Sequence, residues 1–167
     1  MKKILIFVII IIFAILGVII LKPNNKIEND ENNEYIKTDN IQNLNEEQSN
    51  LKIRLKINNK ELTATLIDNS SSRGLLEKLE AGPVTINAHD YSNFEKVGEL
   101  GFSLPRNDEN YTTKPGDIIL YQGNMLTIYY DTNTWDFTKL GRIDDISQDE
   151  LKELLGEGDV VIVVEKY

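Results

Sequence analysis

The sequence predicts a mostly β domain over residues 51–167, built as an antiparallel sheet or barrel with two short helices. Apolar and polar residues alternate at its start, and short apolar runs separated by turn residues continue to its end. Only two segments have the apolar spacing and capping residues of helices. Parallel strands need long crossovers, usually helical, and two helices provide few of them. The pattern therefore favours about seven or eight mostly antiparallel strands over a doubly wound sheet.

The first predicted element is a β-hairpin. Apolar residues alternate strictly with basic ones over residues 51–57, which is typical of a half-buried strand. Asn58-Asn59 follows, and asparagine tolerates the positive φ of a tight turn. Alternation resumes over residues 62–66 and predicts the second strand.

Two helices are predicted from their caps. Asn69 and the serines after it supply N-caps, the leucines at 75–79 have helical spacing, and a Gly-Pro pair then ends the helix. Ser147 and Glu150 have the spacing of a capping box, and Gly156 ends the second helix.

The remaining predicted strands are short apolar runs. Gly123-Asn124 joins two of them and predicts a hairpin turn. The runs lie at residues 84–86, 118–121, 125–130 and 160–164.

Several short motifs follow one another in this region. They are EKVGEL at 95–100, SLP at 103–105, KPGDI at 114–118, YQGN at 121–124, IYY at 128–130 and LGRI at 140–143. Their order and spacing resemble the small bacterial and archaeal cyclophilin-like domain family. The resemblance implies an eight-stranded, mostly antiparallel barrel closed at its ends by helices. It does not imply prolyl isomerase activity, because the long motifs of the true isomerases have no counterpart here, and a shared fold does not transfer function.

The amino-terminal segment predicts a membrane anchor over residues 1–22. Residues 4–21 have no polar or charged side chain, and a helix of that length spans about 27 Å of a hydrocarbon core of about 30 Å. The apolar run of a cleaved signal peptide is shorter, and no A-x-A-like site follows Leu21. An uncleaved signal anchor with the domain outside the cell is therefore favoured, with secretion after cleavage as the alternative.

Residues 23–50 predict a disordered linker. They contain nine asparagines, seven acidic residues and two lysines, and their few apolar residues have no sustained period. Such a segment cannot bury enough apolar surface to offset its chain entropy. We expect it to act as a spacer.

Composition excludes several classes of protein. The net charge of −9 disfavours binding to DNA or RNA, which needs clustered Lys and Arg. The absence of cysteine excludes disulfides and thiolate metal sites, and a single histidine excludes a multi-histidine metal site. The sequence has no cofactor motif, and we expect neither a cofactor nor a metal.

His89 is the one candidate for acid–base chemistry. Asp90 follows it directly, but adjacent strand residues point to opposite faces, so the two are not expected to pair. A hydrogen-bonded structural histidine is the favoured interpretation, and we assign no catalytic residue.

An aromatic concentration offers a binding site instead. Its members are Tyr111, Tyr121, Tyr129, Tyr130, Trp135 and Phe137. We expect a ligand groove around the Gly123-Asn124 turn. The expected ligand-binding residues are Tyr121, Asn124, Tyr130, Arg106 and Arg142. The alternatives are core packing for the rings and surface ion pairs for the arginines.

These observations predict a membrane-tethered, non-enzymatic binding module for a small molecule or a peptide. The alternative is an enzyme, such as a divergent peptidyl-prolyl isomerase that uses Arg106 and Arg142 in a groove at the side of the barrel.

Overall fold

The computed structural model describes residues 51–167, which contain nine β-strands and two α-helices. The strands are β1 (Lys52–Ile57), β2 (Lys60–Leu66), β3 (Val84–Tyr91), β4 (Glu95–Glu99), β5 (Glu109–Thr112), β6 (Asp117–Tyr121), β7 (Met125–Tyr129), β8 (Thr134–Ile143) and β9 (Val160–Lys166). The helices are α1 (Ser70–Leu79) and α2 (Gln148–Leu155).

Eight of these strands close into a barrel. Their order is β2-β1-β9-β3-β4-β7-β6-β8, and β8 pairs again with β2 to complete the circle. Every pairing is antiparallel. The expectation of a closed, eight-stranded antiparallel barrel with two helices is confirmed. The ninth strand, β5, was not predicted, and it pairs only with the first half of β8.

Barrel closure depends on a glycine in β8. At Gly141 a Cβ atom would lie 2.4 Å from the carbonyl oxygen of Thr65 and 2.8 Å from the Cα of Leu66. Real Cβ atoms do not approach backbone this closely, so any larger residue would push β8 away from β2.

Both predicted hairpins are present. In the first, Asn58 takes the positive φ of 53° between β1 and β2. In the second, Gln122 and Gly123 take φ values of 52° and 82°, and the Asn124 N–H donates to the Tyr121 carbonyl at 3.3 Å. The turn is therefore centred one residue earlier than the predicted Gly123-Asn124 pair.

The predicted N-caps of both helices and the end of α2 at Gly156 are also confirmed, whereas α1 ends at Leu79 with Glu80 as its C-cap, before the predicted Gly-Pro stop. Asn69 Oδ1 accepts a hydrogen bond from the Ser72 N–H at 2.8 Å. Ser147 and Glu150 form the reciprocal capping box, and Gly156 ends α2 with a φ of 61°.

The apolar residues form two separate clusters. The larger one fills the barrel and includes Leu126 and Ile128 of β7. The smaller one consists of Ile119, Tyr129 and Phe137, with Phe94 and Tyr111 packed against it. Because successive strand residues point to opposite faces, Tyr129 and the smaller cluster lie on the outside of the barrel.

The predicted anchor at 1–22 and the predicted linker at 23–50 lie outside the described residues. Within residues 51–167 there is no helix long and apolar enough to span a bilayer.

Candidate functional site

A groove of about 350 Å³ lies on the outer wall of the barrel, across β3, β4, β7, β6 and β8. We call it the aromatic groove, because many of the side chains that line it are aromatic. Its lining consists of His89, Tyr91, Phe94, Glu95, Val97, Tyr121, Met125, Tyr129, Asn133, Trp135 and Phe137.

Strand register places one carboxyl group between two rings. Glu95 of β4 lies opposite Tyr91 of β3 on one side and opposite Tyr129 of β7 on the other. Directly opposed residues of neighbouring strands project from the same face of the sheet. The groove therefore has a carboxyl group flanked by aromatic side chains.

The rings contact one another in a chain across the wall. Tyr91 and Phe94 meet edge to face, with centroids 5.8 Å apart. Phe94 stacks on Tyr129 at 5.9 Å, and Tyr129 packs against Phe137 at 5.5 Å. These are the separations of favourable aromatic pairs, so the rings hold one another in position.

Burial controls the electrostatics of Glu95. The residue is 8% exposed, and its Oε2 atom has no hydrogen-bond partner in the described domain. Burial raises the pKa of the Glu95 carboxyl, while hydrogen bonding from Tyr129 and the charge of His89 act in the opposite direction. Burial, followed by the interaction with Glu95, raises the pKa of Tyr129, so its hydroxyl stays protonated as a donor.

His89 and Asp90 point to opposite faces of β3, as expected. His89 is exposed and lines the aromatic groove, and its ring makes no hydrogen bond within residues 51–167. The structure therefore does not support the interpretation of a hydrogen-bonded structural histidine. Asp90 instead accepts hydrogen bonds from Lys96 at 2.9 Å and from the Tyr130 hydroxyl at 2.6 Å.

Two of the five expected ligand-binding residues lie together. Tyr121 is at the rim of the aromatic groove, and it also lines a neighbouring depression with Arg106 and Trp135. Arg106 forms an ion pair with Asp108. Asn124 is exposed beside the turn, outside the groove lining.

Tyr130 and Arg142 lie elsewhere. Tyr130 is buried in the barrel core, because it points away from the groove that its neighbour Tyr129 lines. Arg142 lies 3.4 Å from the buried carboxylate of Asp117. The single groove expected to gather all five residues is not formed, although binding by Tyr121 and Arg106 stays a prediction.

Sequence reasoning missed the carboxyl group of the site. Phe94 and Glu95 precede the apolar part of β4, and nothing in their local pattern predicts a role in binding. A cross-strand reading of β3 and β4 as one hairpin would have placed Glu95 beside Tyr91.

The chain belongs to the Cyclophilin-like family, whose model matches residues 55–165. Among solved structures, it is similar to the hypothetical protein AF2241 from Archaeoglobus fulgidus, with 14% identity and a TM-score of 0.53. That match covers 72% of this chain and 97% of the archaeal one, and it shows the fold alone.

A second similar structure is McbB in complex with tryptophan, with 15% identity and a TM-score of 0.49. The match covers 68% of this chain and 44% of McbB. No curated protein matches the chain.

Proposed function

We propose that the protein is a membrane-tethered binding module whose aromatic groove takes a small molecule or a peptide side chain with an apolar, ring-like part. The observation that carries the proposal is the row of aromatic side chains outside a barrel whose interior is already filled.

The exposure of two rings supports a binding role. Trp135 is 64% exposed and Tyr91 is 54% exposed, yet both border the same groove. Barrel packing does not require them, since the interior cluster is formed by other residues. Contiguous apolar surface left open to water is typical of a binding surface, and rings supply large contact area with polar tips.

The groove size fits a small ligand. A volume of about 350 Å³ lies at the lower end of the range of about 300–1,000 Å³ for ligand pockets. One ring with a short substituent, or one aromatic side chain of a peptide, would occupy it.

Fluorescence of Trp135 tests groove binding directly, because it is the only tryptophan in the sequence. We would titrate the full chain, in a non-ionic maltoside detergent, with 2-phenylethanol. A saturable change in tryptophan emission is expected. The Tyr91→Ala variant should weaken binding about fivefold, through the loss of one ring contact.

Tyr167→Ala is the matched control. Tyr167 is a tyrosine of similar exposure, 58%, that does not line the groove. Its removal should leave the titration unchanged. A linear, unsaturable response, or equal losses in both variants, would contradict a binding role for the groove.

Tethering is the second part of the proposal, and it is supported by the uninterrupted apolar run at residues 4–21. Membranes carrying the full chain would be washed with high salt and then at alkaline pH, and intact cells would be treated with protease. Retention in the membrane and digestion of the domain from outside are expected. Release by the washes would end the anchor hypothesis, and protection in intact cells but not in lysed ones would reverse the topology.

A further inference from the structure

Glu95 gives the aromatic groove a chemical preference. We propose that the ligand is an organic cation, with an ammonium group held against the Glu95 carboxylate and an apolar or aromatic part held among the rings. This inference rests on the proposed function, because it names the ligand class of the same groove.

The first argument is an unmet hydrogen-bond capacity. Glu95 Oε2 and Thr127 Oγ1 are the two buried side-chain polar atoms without a partner in residues 51–167. Both lie on the outer wall: Glu95 is opposite Tyr129, and Thr127 is two residues before Tyr129 in β7. Buried polar atoms are almost always hydrogen-bonded, so this wall lacks a donor that a ligand would supply.

The second argument is the contrast with two other acids, Asp117, which is buried, and Asp90, whose side chain is 25% exposed. Asp90 and Asp117 each have a lysine Nζ within 2.9 Å, from Lys96 and Lys139 respectively. Within residues 51–167 Glu95 forms no ion pair with a lysine or an arginine, and the groove lining contains neither residue type. His89 lies on the same face, but it makes no hydrogen bond to Glu95. Glu95 therefore interacts with the charge of His89 without a hydrogen bond, and it lacks the direct ion pair that Asp90 and Asp117 have.

The third argument is the surroundings of the carboxyl group. Tyr91 and Tyr129 lie opposite Glu95 on its two neighbouring strands, and Phe94 stacks on Tyr129. Ring faces attract cations, and aromatic cages are a recurrent means of binding ammonium groups. The terminal torsion of a glutamate is soft, so either carboxyl oxygen can turn toward the groove.

The net charge of the domain also favours a cationic ligand. Residues 51–167 carry 13 basic and 20 acidic side chains, a net charge of −7. A domain of this charge attracts small cations and repels anions.

A pair of probes of nearly equal shape tests the inference. Trp135 emission would be titrated with 2-phenylethylammonium and with 2-phenylethanol, using the full chain in maltoside detergent. We expect the ammonium to bind about tenfold more tightly, through its charge-assisted hydrogen bond and its contact with the rings. The Glu95→Gln variant should bind both probes with the affinity of the alcohol.

The matched control is Glu99→Gln. Glu99 is an exposed glutamate on the same strand that does not line the aromatic groove, and its substitution removes the same charge. It should retain the tenfold preference. A preference that falls equally in both variants would mean that general charge, and not Glu95, selects the ligand, and would overturn the inference.

The outcomes distinguish the cation inference from the proposed function of groove binding. Equal binding of both probes to the wild type would overturn the cation inference and leave groove binding intact, whereas binding of neither would overturn both. If Glu95→Gln fails to fold, Tyr91→Leu decides, because it removes a ring face and keeps apolar area. It should cost the ammonium about threefold more affinity than the alcohol, and equal losses would overturn the inference.

Discussion

Lys96 Nζ lies 2.9 Å from Asp90 Oδ2, and the lysine side chain is fully buried while that of the aspartate is 25% exposed. The same ammonium donates to the Gly158 carbonyl at 2.7 Å, and the same carboxylate oxygen accepts from the Tyr130 hydroxyl at 2.6 Å. This network ties the β3–β4 hairpin to the loop before β9, on the inner side of the strands that carry the aromatic groove.

The unequal burial of this pair predicts unequal effects of its two single substitutions. Asp90→Asn leaves a fully buried ammonium without a counter-charge, so it should lower the free energy of unfolding by about 3–5 kcal/mol. Lys96→Met leaves a carboxylate that still reaches water, and it should cost less, about 1–3 kcal/mol. Urea unfolding of both variants measures the difference. A larger loss for Lys96→Met would contradict the assignment of lysine as the desolvated partner.

Asp90 also predicts a pH dependence. Burial acts to raise its pKa, but the hydrogen bonds from Tyr130 and Lys96 outweigh burial and lower the pKa below its usual value. The stabilisation from Asp90 is therefore fully present above the unfolded-state pKa of about 3.9, and it is lost as the pH falls through the lower folded-state value. The stability difference between wild type and Asp90→Asn should be large at neutral pH and shrink in acid. A stability difference that stays constant as the pH falls to the range of acid unfolding would contradict this linkage.

Local elements of the fold were predictable because their signals are local. The alternation at 51–57, the Asn69 cap and the Ser147–Glu150 capping box each depend on residues within one turn or one strand. β5 was not predictable in this way, because Glu109–Thr112 has no alternation and is a strand only where it pairs with β8. Nothing in the local pattern marks Lys96 as buried, since its partners come from β3 and the loop before β9.

The site was predictable only in part for the same reason. The sequence shows Tyr121, Tyr129, Trp135 and Phe137 as part of an aromatic concentration, and these four residues line the groove. Tyr130 is aromatic and close in sequence to these rings, but it directly follows Tyr129, the last residue of β7, and points to the opposite, inner side. Glu95 is brought between Tyr91 and Tyr129 by pairings on both sides of β4, which residue spacing alone does not specify.

The close approach of the β2 backbone to Gly141 allows a local test of barrel closure by substitution. The Gly141→Ala variant would set a Cβ against the backbone of β2, so it should cost about 3 kcal/mol or more of unfolding free energy. Hydrogen exchange should quicken at two seam amides, that of Ile67, bonded to the Leu140 carbonyl, and that of Asp144, bonded to the Thr63 carbonyl.

Gly74→Ala is the control for that substitution. In α1 the added Cβ would meet the end of the Leu104 side chain at 3.1 Å, which can move, and alanine favours a helix over glycine by up to about 1 kcal/mol. We expect a change within about 1 kcal/mol. Equal destabilisation by the two variants would mean that the β2–β8 seam is not specially constrained.

The positions and ion pairs of the two candidate arginines argue against a role for them in prolyl isomerisation. Arg106 is paired with Asp108 and Arg142 with Asp117, and neither lines the aromatic groove. We expect the protein not to accelerate isomerisation of a proline-containing peptide. Clear acceleration that is lost in Arg106→Ala or Arg142→Ala would establish the enzymatic alternative.

Alanine substitutions of the two tyrosines among the expected ligand-binding residues should differ clearly in their effect on stability. Tyr130 is 8% exposed, packs in the barrel core and donates its hydroxyl to Asp90, so Tyr130→Ala should cost about 3–5 kcal/mol. Tyr121 is 37% exposed at the groove rim, and Tyr121→Ala should change stability by about 0.5 kcal/mol. Arg142→Ala should also have a small effect, because Asp117 keeps its contact with Lys139 at 2.9 Å. Chemical denaturation of the three variants checks the order, and a loss for Tyr121→Ala as large as that for Tyr130→Ala would make Tyr121 a structural residue and remove it from the binding site.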